Sequence, residues 1–107
     1  MADVKKPADG EQPTFRIVLP RKHENEMFAI VIKLNGTDQV KAIFQDGVER
    51  GCRITGKLKK KVWIREGDLI IAKIWDFQPS KADIVWRYLE PQKNVLYRKG
   101  LLTGLPL

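Results

Sequence analysis

Two dipeptides, Asn35-Gly36 and Asp46-Gly47, set the tightest local rule on how this chain folds. Each supports a turn that needs positive φ, and each is flanked by β-branched or alternating apolar residues, the pattern of a β-hairpin. Met27 to Leu34 is rich in β-branched residues and predicts a first strand ending at Asn35-Gly36. Val40, Ala42 and Phe44 alternate with Gln39, Lys41 and Ile43 up to Asp46-Gly47, after which Cys52 and Ile54 alternate with Arg53. Strands two and three are therefore expected to pair as a hairpin, with Lys41 and Arg53 on its solvent face and Arg50 near the strand start.

Leu69 to Trp75 is apolar almost throughout, as a strand covered on both faces would be, and Ala82 to Tyr88 supplies a fifth alternating segment. Lys57 to Val62 follows Gly56 and lacks β character, which predicts a short helical turn between strands three and four. Pro91 suits the first turn of a helix reaching Lys99, with Arg98 and Lys99 at its carbonyl end and Gly100 just beyond. The expected fold class is all-β: a five-stranded antiparallel OB-fold barrel with a C-terminal helix. At 107 residues one core is expected. Residues 1–15 read as a disordered arm, 16–90 as the barrel and 91–107 as helix and tail.

Charge narrows the partners. Twenty Lys and Arg stand against 13 Asp and Glu, a net +7. Residues 1–26 carry five basic and five acidic groups, so the whole excess lies in the folded part. Arg50 to Arg65 contains Arg50, Arg53, Lys57, Lys59, Lys60, Lys61 and Arg65 without one acid, and Trp63 stands among them. Cations crowded in this way repel one another at low ionic strength, and a phosphate backbone relieves that repulsion. OB barrels commonly bind ligands across strands two and three, where this stripe begins. Lys41, Arg50, Arg53, Lys57, Lys59, Lys60, Lys61, Trp63 and Arg65 are the expected RNA-binding residues, while Trp75 and Trp86, inside apolar segments, are expected to pack in the core.

Other chemistries find little support. Gly51 to Lys57 fits G-x-x-x-x-G-K, but Leu58 occupies the Ser/Thr position that would hold magnesium, and the chain lacks the parallel α/β setting of a phosphate loop. His23 is the one histidine and Cys52 the one cysteine, so internal disulfides and a thiolate zinc cluster are excluded. The carboxylates at Glu66, Asp68, Asp76 and Asp83 follow no catalytic spacing. No enzyme, metal or cofactor is expected. The apolar run Phe28 to Ile32 is far short of the roughly 20 residues of a membrane helix, and the amino terminus lacks a secretory h-region. A cytoplasmic protein without membrane association is expected.

Two long blocks carry a specific resemblance. The stretch Asp46-Gly47-Val48-Glu49-Arg50-Gly51-Cys52-Arg53-Ile54-Thr55-Gly56-Lys57-Leu58-Lys59-Lys60-Lys61-Val62-Trp63-Ile64-Arg65-Glu66-Gly67-Asp68 resembles the translation initiation factor 1A family. Lys73 to Gln78 followed by Ala82 to Tyr88 resembles the last two strands of that family, and Glu24 to Met27 its approach to strand one. The short tail after Gly100 looks archaeal, and Thr55, Ile74, Phe28-Ala29 and Ala42-Ile43 depart from the family pattern. The resemblance implies a non-catalytic monomer that binds small-subunit rRNA at the aminoacyl-site decoding region. It also implies stabilisation of the initiator tRNA complex alongside other initiation factors. The alternative is a single-stranded RNA chaperone of the cold-shock type, although its Phe-Gly-Phe and Phe-Val-His runs are absent. A barrel that docks acidic proteins is a third reading.

Overall fold

The computed structural model describes residues 17–56 and 63–106. The expected arm 1–15 and the expected turn 57–62 lie outside the described residues. Five strands form the body: β1 (Glu26–Leu34), β2 (Gln39–Phe44), β3 (Glu49–Ile54), β4 (Leu69–Ile74) and β5 (Lys81–Arg87), followed by helix α1 (Glu90–Arg98). They close into a barrel in the order β1-β2-β3-β5-β4, with β4 returning to β1. Every pairing is antiparallel except β3 with β5. An odd number of strands in a closed ring cannot alternate direction throughout, so one parallel seam is obligatory. This is the OB-fold barrel that the strand pattern predicts.

Both hairpin glycines do what their positions require. Gly36 and Gly47 adopt φ of +127° and +82°, conformations a side chain disfavours. Around Gly47 the turn is closed by its N–H donating to the Phe44 carbonyl at 2.9 Å, while the Val48 N–H donates to Asp46 Oδ1 at 3.1 Å.

Alternation sorts the apolar residues into two layers. Ala29, Val31, Val40, Phe44, Cys52, Ile70, Ala72 and Ile84 point into the barrel, with Ile64 joining from the segment ahead of β4. Phe28 and Ile30 of β1 and Leu69 and Ile71 of β4 point outward, and they are covered by Tyr88, Leu96 of α1 and Leu102 of the tail. Hence β4 is buried on both faces, as its continuous apolar run predicts. Pro91 sits in the first turn of α1, and Gly100 just past its end takes φ +75°. The Gln92 side chain accepts the Leu89 N–H at 3.0 Å, half of a capping box, since leucine has no oxygen to complete it. Gln45 Nε2 donates to the Leu101 and Thr103 carbonyls at 2.9 and 3.1 Å, fastening the tail to the end of β2.

Two expectations about tryptophan are corrected. Trp86 is exposed and Trp75 only half-buried, and neither belongs to either apolar layer. The register between β4 and β5 pairs Ile71 with Trp86 but Ala72 with Ile84, so Val85 is an extra residue on β5. That bulge moves Trp86 to the outer face, away from inward-facing Ala82 and Ile84. Trp75 lies just past β4, at the rim.

Candidate nucleic-acid interface

Apart from Ile43 of β2, which packs against the outer apolar layer, the outer surface of β2, β3 and β5 adds no side chain to that layer. Cross-strand registers define its rows. Lys33 of β1 faces Lys41, Lys41 faces Gly51, and Gly51 faces Lys81. In the adjoining row Gln39 faces Arg53, Arg53 faces Asp83 and Asp83 faces Lys73. Directly paired residues share a face, so Lys33, Lys41, Arg53, Lys73 and Lys81 form one basic field. Gly51 keeps its middle shallow: a Cβ there would stand 3.3 Å from Lys81 Nζ and 3.6 Å from its Cδ, because the lysine lies across the glycine.

The acids on this surface are few and loosely held. Lys41 Nζ is 3.9 Å from Glu49 Oε1 and Lys73 Nζ is 3.4 Å from Glu24 Oε1, with all four side chains well exposed. Such pairs are worth about 0–1 kcal/mol, so a phosphate can replace the carboxylate. Arg53 makes the firmer contact, donating to both Asp83 oxygens at 3.1 and 3.2 Å, with its Cζ 5.5 Å from the Trp75 ring centre. Its side chain is nevertheless 57% exposed.

The expected site residues divide. Lys41 and Arg53 come together on this face. Trp63, 83% exposed, and Arg65 lie on the segment between β3 and β4, outside the strand registers. Lys57, Lys59, Lys60 and Lys61 lie outside the described residues. Arg50 is corrected: it is 8% exposed, not on the solvent face. It shares the inward parity of Cys52 and Ile54, and pairs in register with Ala42, which is fully buried. Its Nη1 and Nη2 bind the two Asp46 oxygens at 3.1 and 2.9 Å, and Nε donates to the Pro79 carbonyl at 2.7 Å. The guanidinium lies 4.7 Å from the Phe44 ring centre. Hydrogen bonding from Arg50 holds the Asp46 carboxyl below its ordinary value.

Lys33, Lys73 and Lys81 are the members of this surface that sequence reasoning missed. Strand parity identifies each residue's face, but the neighbours of β3 are known only once its parallel seam with β5 is known. No phosphate loop forms over Gly51 to Ile54, because this stretch is strand: Gly51 N–H donates to the Ser80 carbonyl at 3.1 Å and Ile54 N–H to the Asp38 carbonyl at 2.8 Å. Burial pushes the Cys52 thiol up to about 12, which leaves it a packing residue. Among the described residues no group of three or more His, Cys, Asp or Glu side chains could hold a metal ion, and no helix is long and apolar enough to cross a membrane.

Comparison with known proteins converges on one family. The family model described as translation initiation factor 1A / IF-1 matches residues 16–104. Translation initiation factor 1A of Picrophilus torridus is 45% identical over 97 residues, covering 91% of this chain and 90% of that protein. Its counterpart in Archaeoglobus fulgidus is 48% identical over 93 residues, covering 87% and 96%. Translation initiation factor 1A 1 of Methanosarcina mazei is 45% identical over 109 aligned positions, covering 97% and 98%. Among solved structures, a translation initiation factor from the Wolbachia endosymbiont of Brugia malayi aligns with a TM-score of 0.48 at 22% identity, over 66% of this chain and 85% of that one. With a matching family model over most of its length and archaeal relatives aligned nearly end to end, the chain belongs to the translation initiation factor 1A family.

Proposed function

We propose that this protein binds the small ribosomal subunit at the aminoacyl-site decoding region through rRNA, and that it stabilises initiator tRNA there without catalysis. The observation that carries this reading is the uncovered basic field of Lys33, Lys41, Arg53, Lys73 and Lys81 on a barrel of this family. Paired, folded rRNA is read by its shape and phosphates, for which a shallow charged face is suited, whereas single strands demand several stacked aromatics. Lys57, Lys59, Lys60, Lys61, Trp63 and Arg65 extend the same contact. Arg50 is left out of it because its donors are already engaged. The protein acts as a cytoplasmic monomer in company with other initiation factors.

Co-sedimentation with purified small subunits across a salt series tests this. If about five cations each meet a phosphate, the log–log salt slope falls between roughly −3.5 and −4.5. Replacing Lys33, Lys41 and Lys81 together by Glu weakens binding and flattens that slope by two to three, roughly 0.7–0.9 per lost phosphate contact, while circular dichroism stays unchanged. A wild-type slope near zero, or equal binding by the reversed protein, refutes the reading. Preference for poly-uridine over subunits favours the chaperone alternative.

A further inference from the structure

We infer that Phe77, backed by Trp75, is a stacking platform for one unpaired nucleobase, with Arg53, whose guanidinium lies against the Trp75 ring, to meet an adjoining phosphate. This rests on the RNA-binding reading above and adds to it a site of different chemistry. Phe77 is 84% exposed, more than any other large apolar side chain among the described residues. A ring so bare gains little from folding. It stacks on Trp75 with ring centres 5.4 Å apart and planes 25° from parallel.

The backbone beneath is pinned on both sides. Trp75 N–H donates to the Lys81 carbonyl at 3.0 Å and Lys81 N–H to the Gln78 carbonyl at 2.9 Å, closing the β4–β5 hairpin. Asn25 Nδ2 donates to the Ile74 carbonyl at 3.0 Å and to Asp76 Oδ1 at 3.4 Å. An exposed aromatic ring stacked on a second ring above a hydrogen-bonded hairpin presents its free face to a flat partner, and a base stacks on such a ring whatever its identity.

The surrounding charge selects an anionic partner over an uncharged one. Arg53 Cζ lies 5.5 Å from the Trp75 ring centre, and Lys81 occupies the position across the hairpin from Trp75. The contact with Asp83 occupies two Arg53 donors, but Arg53 is also part of the basic field of Lys33, Lys41, Lys73 and Lys81, so the stacked pair borders cationic strand surface.

Two measurements on the full chain test the inference. The first is quenching of 2-aminopurine placed in a hexa-adenylate, compared between wild type, Phe77→Ala and Phe77→Trp. The second is affinity for purified small subunits across a salt series with the same three proteins. Expected are a loss of quenching in Phe77→Ala and a roughly five- to hundredfold weaker affinity for subunits with the salt slope unchanged, both restored in Phe77→Trp. Phe77→Ala matching a wild type that quenches, or matching a wild type that binds subunits, overturns it. So does a loss on subunits with no quenching by the wild type, which would assign the ring to a ribosomal protein. Wild type that quenches the oligonucleotide but fails to bind subunits sinks the ribosomal reading and leaves the stacking site standing.

Discussion

Arg50→Gln separates a structural arginine from an RNA ligand more sharply than any change on the exposed face. Three charge-assisted hydrogen bonds are lost, at 2.7, 3.1 and 2.9 Å, together with the contact on the Phe44 ring. Stranding the partner of a fully buried ion pair costs roughly 3–5 kcal/mol. Here the Asp46 side chain is 36% exposed and Pro79 is on the surface, so water takes over part of what Arg50 supplied. The net destabilisation is therefore about 2–3 kcal/mol, the scale of two or three bonds to a charged group after discounting for solvent. Urea unfolding followed by circular dichroism should show the midpoint falling with the slope m unchanged. Under native conditions the salt slope for small-subunit binding should equal that of the wild type, because no phosphate contact is removed. Wild-type stability combined with a slope reduced by roughly 0.7–0.9 would refute the placement of Arg50 and restore it to the interface.

Three further outcomes follow, two from buried side chains and one from the docked tail. Burial alone would raise the Glu26 carboxyl, but hydrogen bonds from Arg21 Nη2 and N–H, each 3.0 Å, outweigh it and hold the group below its ordinary 4.5. The stability Glu26 contributes is therefore complete above that pH and lost as pH falls through the lowered folded value; Glu26→Gln should remove about 1 kcal/mol of the acid-side decline, and an unchanged acid limb would contradict this. Cys52, 1% exposed with its thiol raised to about 12, should resist a thiol reagent at pH 8 until urea unfolds the barrel, and rapid labelling of the native protein would show otherwise. Gly104 has φ +89°, and a Cβ there would stand 2.7 Å from the Gln45 carbonyl oxygen, so Gly104→Ala should lower stability by roughly 1–2 kcal/mol by loosening the tail; a wild-type urea midpoint would mean the tail's docking contributes nothing.

The strands were legible because their signals are local. Asn35-Gly36 and Asp46-Gly47 mark turns whose glycines do adopt positive φ, and the unbroken apolar run of β4 reports burial on both faces. Arg50 was legible too, had parity been followed to the strand's end: it stands two residues before Cys52 and four before Ile54, the inward positions of β3. Trp86 was not, since parity fails at a bulge and Val85 leaves no composition signal. Lys33, Lys73 and Lys81 reach the interface only through cross-strand partners, and the β3–β5 seam joins segments 30 residues apart, Arg53 to Asp83, with no turn between them to announce it.

Which face of the barrel stays open follows from where the outward positions are apolar. On β1 and β4 they are Phe28, Ile30, Leu69 and Ile71, residues that water disfavours and that α1 and the tail must cover. On β2, β3 and β5 Ile43 and Trp86 stand at the margin, paired with Ile30 and Ile71, while the rows beyond hold Lys41, Gly51, Arg53, Lys81 and Asp83, to which a helix with Leu96 on its inner side has nothing to bind. The same alternation that packs the helix therefore keeps the basic face clear of it, and the two sides respond to mutation independently. Substitutions under α1 change stability while leaving the salt slope alone, and charge changes on the open face do the reverse. Arg53 is the exception on the open face: bonded to both Asp83 oxygens and set against Trp75, it should move both when replaced.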